Sequence, residues 1–326
     1  MSSNRNHWSN IQERGSFLGM SILMWSYKFL GRKLLWIVLF PVVLYFYATS
    51  RSTRSASQEF MTRVAAATPY FKNRGQLTTL KHVCSFADSA FDKIDAWLGK
   101  ISQRDIVYND ASIFPKLVEQ KQGAVFIGSH LGNLEVCRAL SQLHNKAVIN
   151  VLVFTENAVK FNKALERINA DVSINLIQVS DLNPAMAIHL KEKTEQGEFV
   201  VIVGDRTSVS QSGRVIYQDF LGAQAPFSQG PFILAALMEV PIFWLFCLKD
   251  KAKYRVIFEP VGQSLPMNRK NRARIIENLV REYARRLAYY ACLYPYQWYN
   301  FYSFWQQDED VSRHQEIPKK DRMENL

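Results

Sequence analysis

The sequence has few cysteines for its length. Its 326 residues include four of them, which are widely spaced and form no C-x-x-C pair. This spacing argues against a disulfide framework and indicates reduced, structural thiols. Most of the chain is therefore expected to face a reducing compartment. The four are Cys84, Cys137, Cys247 and Cys292.

Acidic residues are also scarce. There are 29 Asp and Glu against 40 Lys and Arg, a formal net charge of +11, which predicts an acidic partner such as anionic lipid, an acidic carrier protein or phosphate. No nucleic-acid-binding motif accompanies this charge, so nucleic acid is not expected. The 48% hydrophobic and 13% aromatic content excludes a disordered chain and fits one that hides apolar surface in a core or in lipid.

Several common catalytic motifs are missing. The sequence contains neither a P-loop nor a G-x-G-x-x-G fingerprint, and Ser129 lacks a G-x-S-x-G frame. A metal site would need His144 or another ligand at no recognised spacing. We therefore expect no metal ion and no cofactor.

One uncharged run stands out near the N-terminus. Leu34 to Ala48 is fifteen residues without a charge, and Pro41 lies inside it. A full span usually needs about 20 apolar residues, so the run predicts membrane contact and leaves open whether the helix crosses. Basic residues bracket it: Arg32, Lys33, Arg51 and Arg54.

A second apolar stretch precedes the first. Phe17 to Leu30 is interrupted by Lys28 and fits an amphipathic helix that lies in the membrane interface. The uncharged run begins too far along the chain for a signal peptide. Residues 1–55 are therefore expected to form a retained, membrane-associated segment; the alternative is that both stretches are buried core helices.

From Gly123 onward, short apolar runs alternate with helical patterns. This alternation predicts an α/β fold with a mixed, largely parallel sheet flanked by helices. We assign residues 56–305 to this domain and 306–326 to a polar, disordered tail. The expected strands are 124–128, 147–154, 174–179, 199–203, 241–248 and 254–259. The expected helices are 54–67, 77–97, 113–120, 133–143, 156–169, 183–197 and 228–239, with a further helical stripe in 269–286.

Polar residues follow two of the predicted strands. His130 comes just after the strand ending at Gly128, and Asp205 and Arg206 come just after the strand ending at Val203. Ligands of open α/β sheets bind outside the carboxyl ends of the strands. Both strand ends should therefore face one cleft.

His130 and Glu135 form an H-x4-E pair. On a continuous helix five residues turn through about 500°, so the two side chains converge only if Gly132 makes a bend and Asn133 begins a helix. Glu135 would then hold one ring nitrogen and leave the other as a general base, and amides at the helix start would be donors to an oxyanion. The alternative is that His130 is an ordinary turn residue and Glu135 a first-turn glutamate favoured by the helix dipole. For Asp205 and Arg206 the alternative is a structural ion pair at the end of the strand.

An ordered set of sequence blocks resembles the lipid A biosynthesis lauroyl/myristoyl acyltransferases, within the lysophospholipid acyltransferase superfamily. The resemblance runs from about Trp8 to about Trp305. The blocks are WSNIQERG from Trp8, the H-x4-E pair, GDR at Gly204 to Arg206, FLGAQAPFSQGPFILA from Phe220, and PYQWYNFY from Pro295.

The resemblance implies acyl transfer from an acyl carrier protein or coenzyme A thioester, a co-substrate, to a hydroxyl or amine of a lipid at the cytoplasmic face of the inner membrane. It makes His130 the general base and Glu135 its partner. Arg206 would clamp a phosphate or carboxylate, positioned by Asp205. Substrate-binding roles also fall to Gly132, Asn133, Gly222 and Phe227, the last two by shaping an acyl pocket.

The C-terminal YNFYSFW departs from the tryptophan- and arginine-rich pattern of that family. Another glycolipid, an aminolipid or a membrane pigment therefore stays open as the acceptor. Two other function classes also stay open: a non-catalytic membrane-bound interaction protein of a lipid or pigment pathway, and a hydrolase. The basic face of residues 269–286 is either a solvated surface or a steering surface for anionic lipid or an acidic carrier.

Overall fold

A computed structural model describes residues 17–68, 77–137, 147–153, 174–178, 184–206, 214–262 and 268–305. Three predictions lie outside these residues: the WSNIQERG block, the helix at 156–169 and the tail at 306–326. Within them, the predicted α/β architecture is confirmed.

Nine strands and seven α-helices are present in the described parts of the chain. The strands are β1 (Ile106–Tyr108), β2 (Ala124–Gly128), β3 (Ile149–Val153), β4 (Ile174–Gln178), β5 (Phe199–Val203), β6 (Val215–Phe220), β7 (Ala223–Ser228), β8 (Ile242–Asp250) and β9 (Lys253–Pro260). The helices are α1 (Phe17–Thr49), α2 (Arg51–Ala67), α3 (Thr79–Trp97), α4 (Ile113–Glu119), α5 (Pro184–Glu195), α6 (Gly230–Leu237) and α7 (Arg272–Leu293).

Seven strands form one sheet in the order β1-β9-β8-β2-β5-β3-β4. Strands β2, β3, β4, β5 and β8 run parallel, whereas β9 is antiparallel to β8 and pairs in parallel with β1. The sheet is thus mixed and largely parallel, as predicted. Two elements were not predicted: the short edge strand β1 and the β6–β7 hairpin, which forms a sheet of its own.

The sheet is covered on both faces, which explains the continuous apolar runs. All five residues of β2 are buried. Val125 and Ile127 face the cluster that contains α6 and α7, whereas Phe126 points to the other face and packs near Phe114 and Phe258. The stripe predicted in residues 269–286 is core: it is buried at Ile276, Leu279, Tyr283 and Leu287.

α1 contains the candidate membrane segment. Gly31 has a φ of 69° and kinks the helix. The part after it, Gly31–Thr49, is long and apolar enough to cross a membrane, with a mean hydropathy of 1.4 and only 11% of it buried. No other helix in the described ranges meets this standard.

The chain after β2 is wedged between β8 and the C-terminal segment. The Gly132 amide donates to the Gln297 carbonyl at 2.8 Å, and the Asn133 amide donates to the Cys247 carbonyl at 2.8 Å. Gly132 has a φ of 84°, and a Cβ at this position would overlap the Cys247 carbonyl. The predicted bend is therefore real, and it requires glycine. The helix predicted over 133–143 begins as a 3-10 turn, Leu134–Cys137.

A buried histidine joins α2, α3 and the C-terminal segment. His82 Nε2 lies 2.8 Å from the Trp298 carbonyl, and Nδ1 lies 2.9 Å from Ser57 Oγ. Since a carbonyl only accepts, Nε2 carries the proton and Nδ1 accepts from the serine hydroxyl. Burial lowers the pKa of His82 to about 4, against the raising effect of the Trp298 carbonyl.

Gly132→Ala should destabilise the fold. The new methyl group meets a main-chain carbonyl at a positive φ, so we expect a loss of about 3 kcal/mol or more in the free energy of unfolding. Gly262→Ala is the matched control, because nothing lies within 4 Å of a Cβ at that position. Denaturant unfolding of the purified variants measures both, and equal midpoints would contradict this account of the bend.

His82 should make stability depend on pH. Its pKa is about 4 in the fold, against an ordinary 6.5, so only the unfolded chain binds the proton between these values. The contribution of His82 to the free energy of unfolding is fully present above pH 6.5. About 3 kcal/mol of it is lost as the pH drops to 4. Denaturant unfolding at several pH values between 4 and 7 gives the free energy of unfolding as a function of pH. This free energy should depend less steeply on pH for His82→Gln than for the native chain. An unchanged slope would mean that other groups govern this range.

Candidate active site

His130 and Asp205 meet because β2 and β5 are neighbours in register. Gly128 pairs with Val203 at the carboxyl ends of the two strands, and the Gly204 amide donates to the Gly128 carbonyl at 3.0 Å. Two residues farther on, His130 Nδ1 lies 2.8 Å from Asp205 Oδ1, and the His130 amide donates to Asp205 Oδ2 at 2.8 Å. The two strand ends predicted to share a cleft do meet.

The close approach of the two strand ends depends on small residues. A Cβ on Gly204 would lie 2.9 Å from both Ile127 Cγ2 and the Tyr283 ring. Tyr283, on α7, donates its hydroxyl to the Gly128 carbonyl at 2.7 Å. α7 therefore supports the adjacent ends of β2 and β5, which carry the site.

Asp205 is fully buried, and donors surround its carboxylate. Besides His130, Trp298 Nε1 donates to Oδ2 at 2.9 Å and Asn300 Nδ2 at 3.3 Å. Burial alone raises the pKa of the Asp205 carboxyl, but the attraction of His130 and these hydrogen bonds outweigh it and hold the pKa below its usual range. The group is an ionised acceptor, and the role in positioning Arg206 that the resemblance implied stays a prediction.

The Asp205 carboxylate fixes the tautomer of His130. An ionised carboxylate only accepts, so Nδ1 carries the proton and the lone pair lies on Nε2. The imidazole is 31% exposed, and no hydrogen bond to Nε2 occurs within the described part of the chain. Burial and the nearby charge of Arg206 lower the pKa of His130, while Asp205 opposes them. At neutral pH the ring is an uncharged base.

Glu135 lies in the 3-10 turn that follows the bend and is half-buried. Its amide donates to Asn133 Oδ1 at 3.2 Å, and Asn133 Nδ2 donates to the Ser89 carbonyl at 3.3 Å. Asn133 thus begins the turn, as predicted, by capping it. The carboxylate on Nδ1 of His130 is Asp205, so the pairing of His130 with Glu135 stays a prediction.

The amides at this turn are occupied. Those of residues 130–133 all donate within the protein, as do those of Glu135 and Val136. The expectation that amides at this turn bind an oxyanion is therefore wrong for these six. Arg206 supplies the positive charge beside the imidazole; it is half-buried, and its guanidinium carbon lies 5.8 Å from the centre of the Tyr302 ring.

Gly222 and Phe227 lie on the β6–β7 hairpin. Gly222 is at the hairpin tip with a φ of 79°, which explains the glycine as a turn residue. It borders a cavity of about 530 Å³ against α2. Phe227 is 1% exposed and packs against Phe220 and Phe304. These contacts give both residues structural roles, and a part in an acyl pocket stays a prediction.

Trp298 and Asn300 complete the site, although no role was expected for them from the sequence. Both belong to the PYQWYNFY block, which was recognised only as a family feature. Trp298 is fully buried and forms an antiparallel bridge with Leu131. The tryptophan and the asparagine beyond the last helix are visible in the sequence. Their spacing, however, does not predict that Asp205 is their partner.

The described residues contain no group of three or more His, Cys, Asp or Glu side chains that could hold a metal ion. Cys84 and Cys292 carry free thiols. What converges at the strand ends is thus a histidine, a buried carboxylate and a guanidinium.

Comparison with known families gives a match for the chain. Residues 87–305 match the family described as bacterial lipid A biosynthesis acyltransferase. The match takes in β1 to β9 and the whole of the site, and it covers well over half of the chain. A comparison with individually curated proteins finds no match. The chain therefore belongs to the bacterial lipid A biosynthesis acyltransferase family.

Proposed function

We propose that this acyltransferase moves a fatty acyl group from an acyl carrier protein or coenzyme A thioester to a hydroxyl or amine of a lipid or glycolipid acceptor. The observation that carries the proposal is the His130–Asp205 pair. A neutral imidazole with its Nδ1 proton fixed and its Nε2 available is the state in which histidine takes a proton from a hydroxyl.

In the proposed reaction, His130 Nε2 takes the proton of the acceptor as its oxygen or nitrogen attacks the thioester carbonyl. The tetrahedral intermediate collapses, the bond from carbon to sulfur breaks, and the imidazolium returns its proton to the leaving thiolate. Asp205 stabilises the imidazolium between the two steps. The thioester is a co-substrate, and the steps use no other cofactor.

Arg206 is the proposed electrostatic partner of the reaction. Its charge lies close enough to His130 to lower the pKa of the imidazole, so it can offset the negative charge that develops on the carbonyl oxygen. It could equally clamp a phosphate of the acceptor or donor. Glu135 is proposed to assist His130 as a second carboxylate beside Asp205, and Gly132 and Asn133 hold the turn in place.

The surroundings of the site fit a donor and an acceptor of this kind. The +11 charge of the chain suits an acidic carrier protein or an anionic lipid surface. Arg274, Arg281 and Arg285 are exposed on the outer face of α7. The candidate membrane segment and the free thiols of Cys84 and Cys292 support a place at the inner membrane, with the catalytic domain on the cytoplasmic side.

Substitutions at Asp205 and Arg206 should move the acid limb of the rate profile in opposite directions. His130 acts as a base only when neutral, so kcat/KM falls as the pH drops below its pKa. Arg206 lowers that pKa and Asp205 raises it. Arg206→Gln should therefore move the limb to higher pH, and Asp205→Asn to lower pH with a loss of about 10²- to 10⁴-fold in kcat.

Arg285→Gln, on the exposed face of α7, is the matched control and should leave the limb unmoved. Glu135→Gln separates the two carboxylates. If Glu135 orients His130, kcat should fall more for Glu135→Gln than for Asp205→Asn. That result would contradict the assignment of Asp205.

His130→Gln should abolish the acylated product while the protein stays folded. The measurement is lipid mass spectrometry of cells that express the native chain, His130→Gln or no protein. The native chain should add one mass offset that gives the acyl length and the acceptor class together. Free fatty acid without an acylated lipid would point to hydrolysis, and an unchanged product with His130→Gln would contradict the role of this residue.

A further inference from the structure

α1 presents two different faces, one packed on the protein and one exposed. Tyr27, Leu35 and Val43 are 3–6% exposed, and Leu39 and Tyr47, at four-residue steps along the same side, are half-buried. This side packs on α3. On the other side, eight large apolar side chains between Leu34 and Phe46 are 38–69% exposed.

Polar contacts fix α1 to α3 near the kink. The Tyr27 hydroxyl donates to the Asp95 carboxylate at 2.7 Å. Arg32 forms ion pairs with Asp92 at 2.7 Å and with Asp88 at 2.6 Å. Asp92 is 2% exposed. Two cations from different elements therefore share these carboxylates, because Lys249 of β8 lies 2.8 Å from Asp92 and 3.1 Å from Asp88.

The contacts continue to the far end of the helix. Trp36 Nε1 donates to Asp88 Oδ1 at 3.0 Å, and the Tyr47 hydroxyl lies 2.6 Å from Thr79 Oγ1. As the residue number rises on α1 it falls on α3, so the helices are antiparallel. After the kink the contacts extend from Arg32 to Tyr47, 15 residues or about 22 Å at 1.5 Å per residue. That length is most of the thickness of the hydrocarbon core of a bilayer, about 30 Å.

A helix fixed along such a length cannot cross the bilayer alone. If α1 spanned it, α3 would lie at the same depth, and with it the C-terminal segment, which His82 and Ser85 of α3 contact through Trp298 and Tyr299. Polar and ionised side chains inside the hydrocarbon region are costly. The main sheet would follow, since Lys249 ties β8 to the carboxylates of α3.

The charge pattern indicates what covers the exposed face. Residues 17–49 contain no acidic residue, and Lys33 and Arg51 are exposed on either side of the apolar face. If a second copy of the chain covered this face, the cations of one copy would lie next to cations of the other and repel them. Anionic lipid instead accepts cations at both ends and apolar and aromatic side chains between them.

We propose that α1 is a monotopic anchor that lies in the plane of one leaflet of an anionic bilayer. Its exposed face enters the acyl chains, and its opposite face stays bound to α3 and the catalytic domain. Phe86, on α3, is 45% exposed and lies 5.4 Å from Tyr299, whose amide donates to the His130 carbonyl at 3.0 Å. Phe86 therefore brings an exposed aromatic ring next to the segment that holds the loop of His130.

Depth measurements on the full-length protein test the proposal. A fluorescent amino acid is placed at Ile37, Phe40 or Tyr45, one at a time, in vesicles that contain phosphatidylglycerol and lipids brominated at different acyl positions. An in-plane helix places all three labels at one shallow depth, about 5–10 Å into the interface. Depths that change by about 1.5 Å per residue would overturn the proposal in favour of a spanning helix.

A charge variant gives an independent reading. Ile37→Asp with Val38→Asp should lower vesicle binding about tenfold or more and leave the circular dichroism spectrum unchanged. Ile188→Asp is the matched control, since Ile188 is 61% exposed on α5, and it should bind like the native chain. Equal binding of all three proteins, or a dimer whose exposed α1 faces remain unquenched, would overturn the proposal.

Discussion

One buried carboxylate holds the candidate active site together. Asp205 accepts from the main chain and the ring of His130 and from the indole of Trp298. A charge so fully removed from water would cost several kcal/mol without partners, and here each partner comes from a different part of the chain. The loop after β2, the end of β5 and the C-terminal segment are therefore interdependent, because each one satisfies a group that the others would leave buried.

The sheet could be predicted from the sequence because its strands are continuous apolar runs between polar breaks. All six predicted strands are present with ends within a few residues of those expected. The β6–β7 hairpin was missed since its first strand mixes polar with apolar residues, as a hairpin beside the main sheet does. The placement of His130 and Asp205 at one cleft was predictable from the rule for strand ends alone.

The identity of the carboxylate on His130 was not predictable. A short sequence spacing suggests Glu135, whereas the contact that forms depends on the register of β2 and β5, in which Gly128 faces Val203. Register is set by packing across the whole sheet and leaves no local mark. The partners of Arg32 were not predictable either. In the sequence the acidic residues of α3 have the pattern of an ordinary solvated helix face, and only the packing of α1 on α3 brings them to Arg32.

Trp298 follows His130 by about half of the chain, and this distance has a consequence for how the protein is made. The segment that carries Trp298 locks the loop after β2 through Gln297 and bonds Asp205. A nascent chain therefore has α1 and the H-x4-E turn outside the ribosome long before the last partner of the carboxylate exists. The surroundings of the Asp205 carboxylate are therefore completed only near the end of synthesis, long after α1 has left the ribosome.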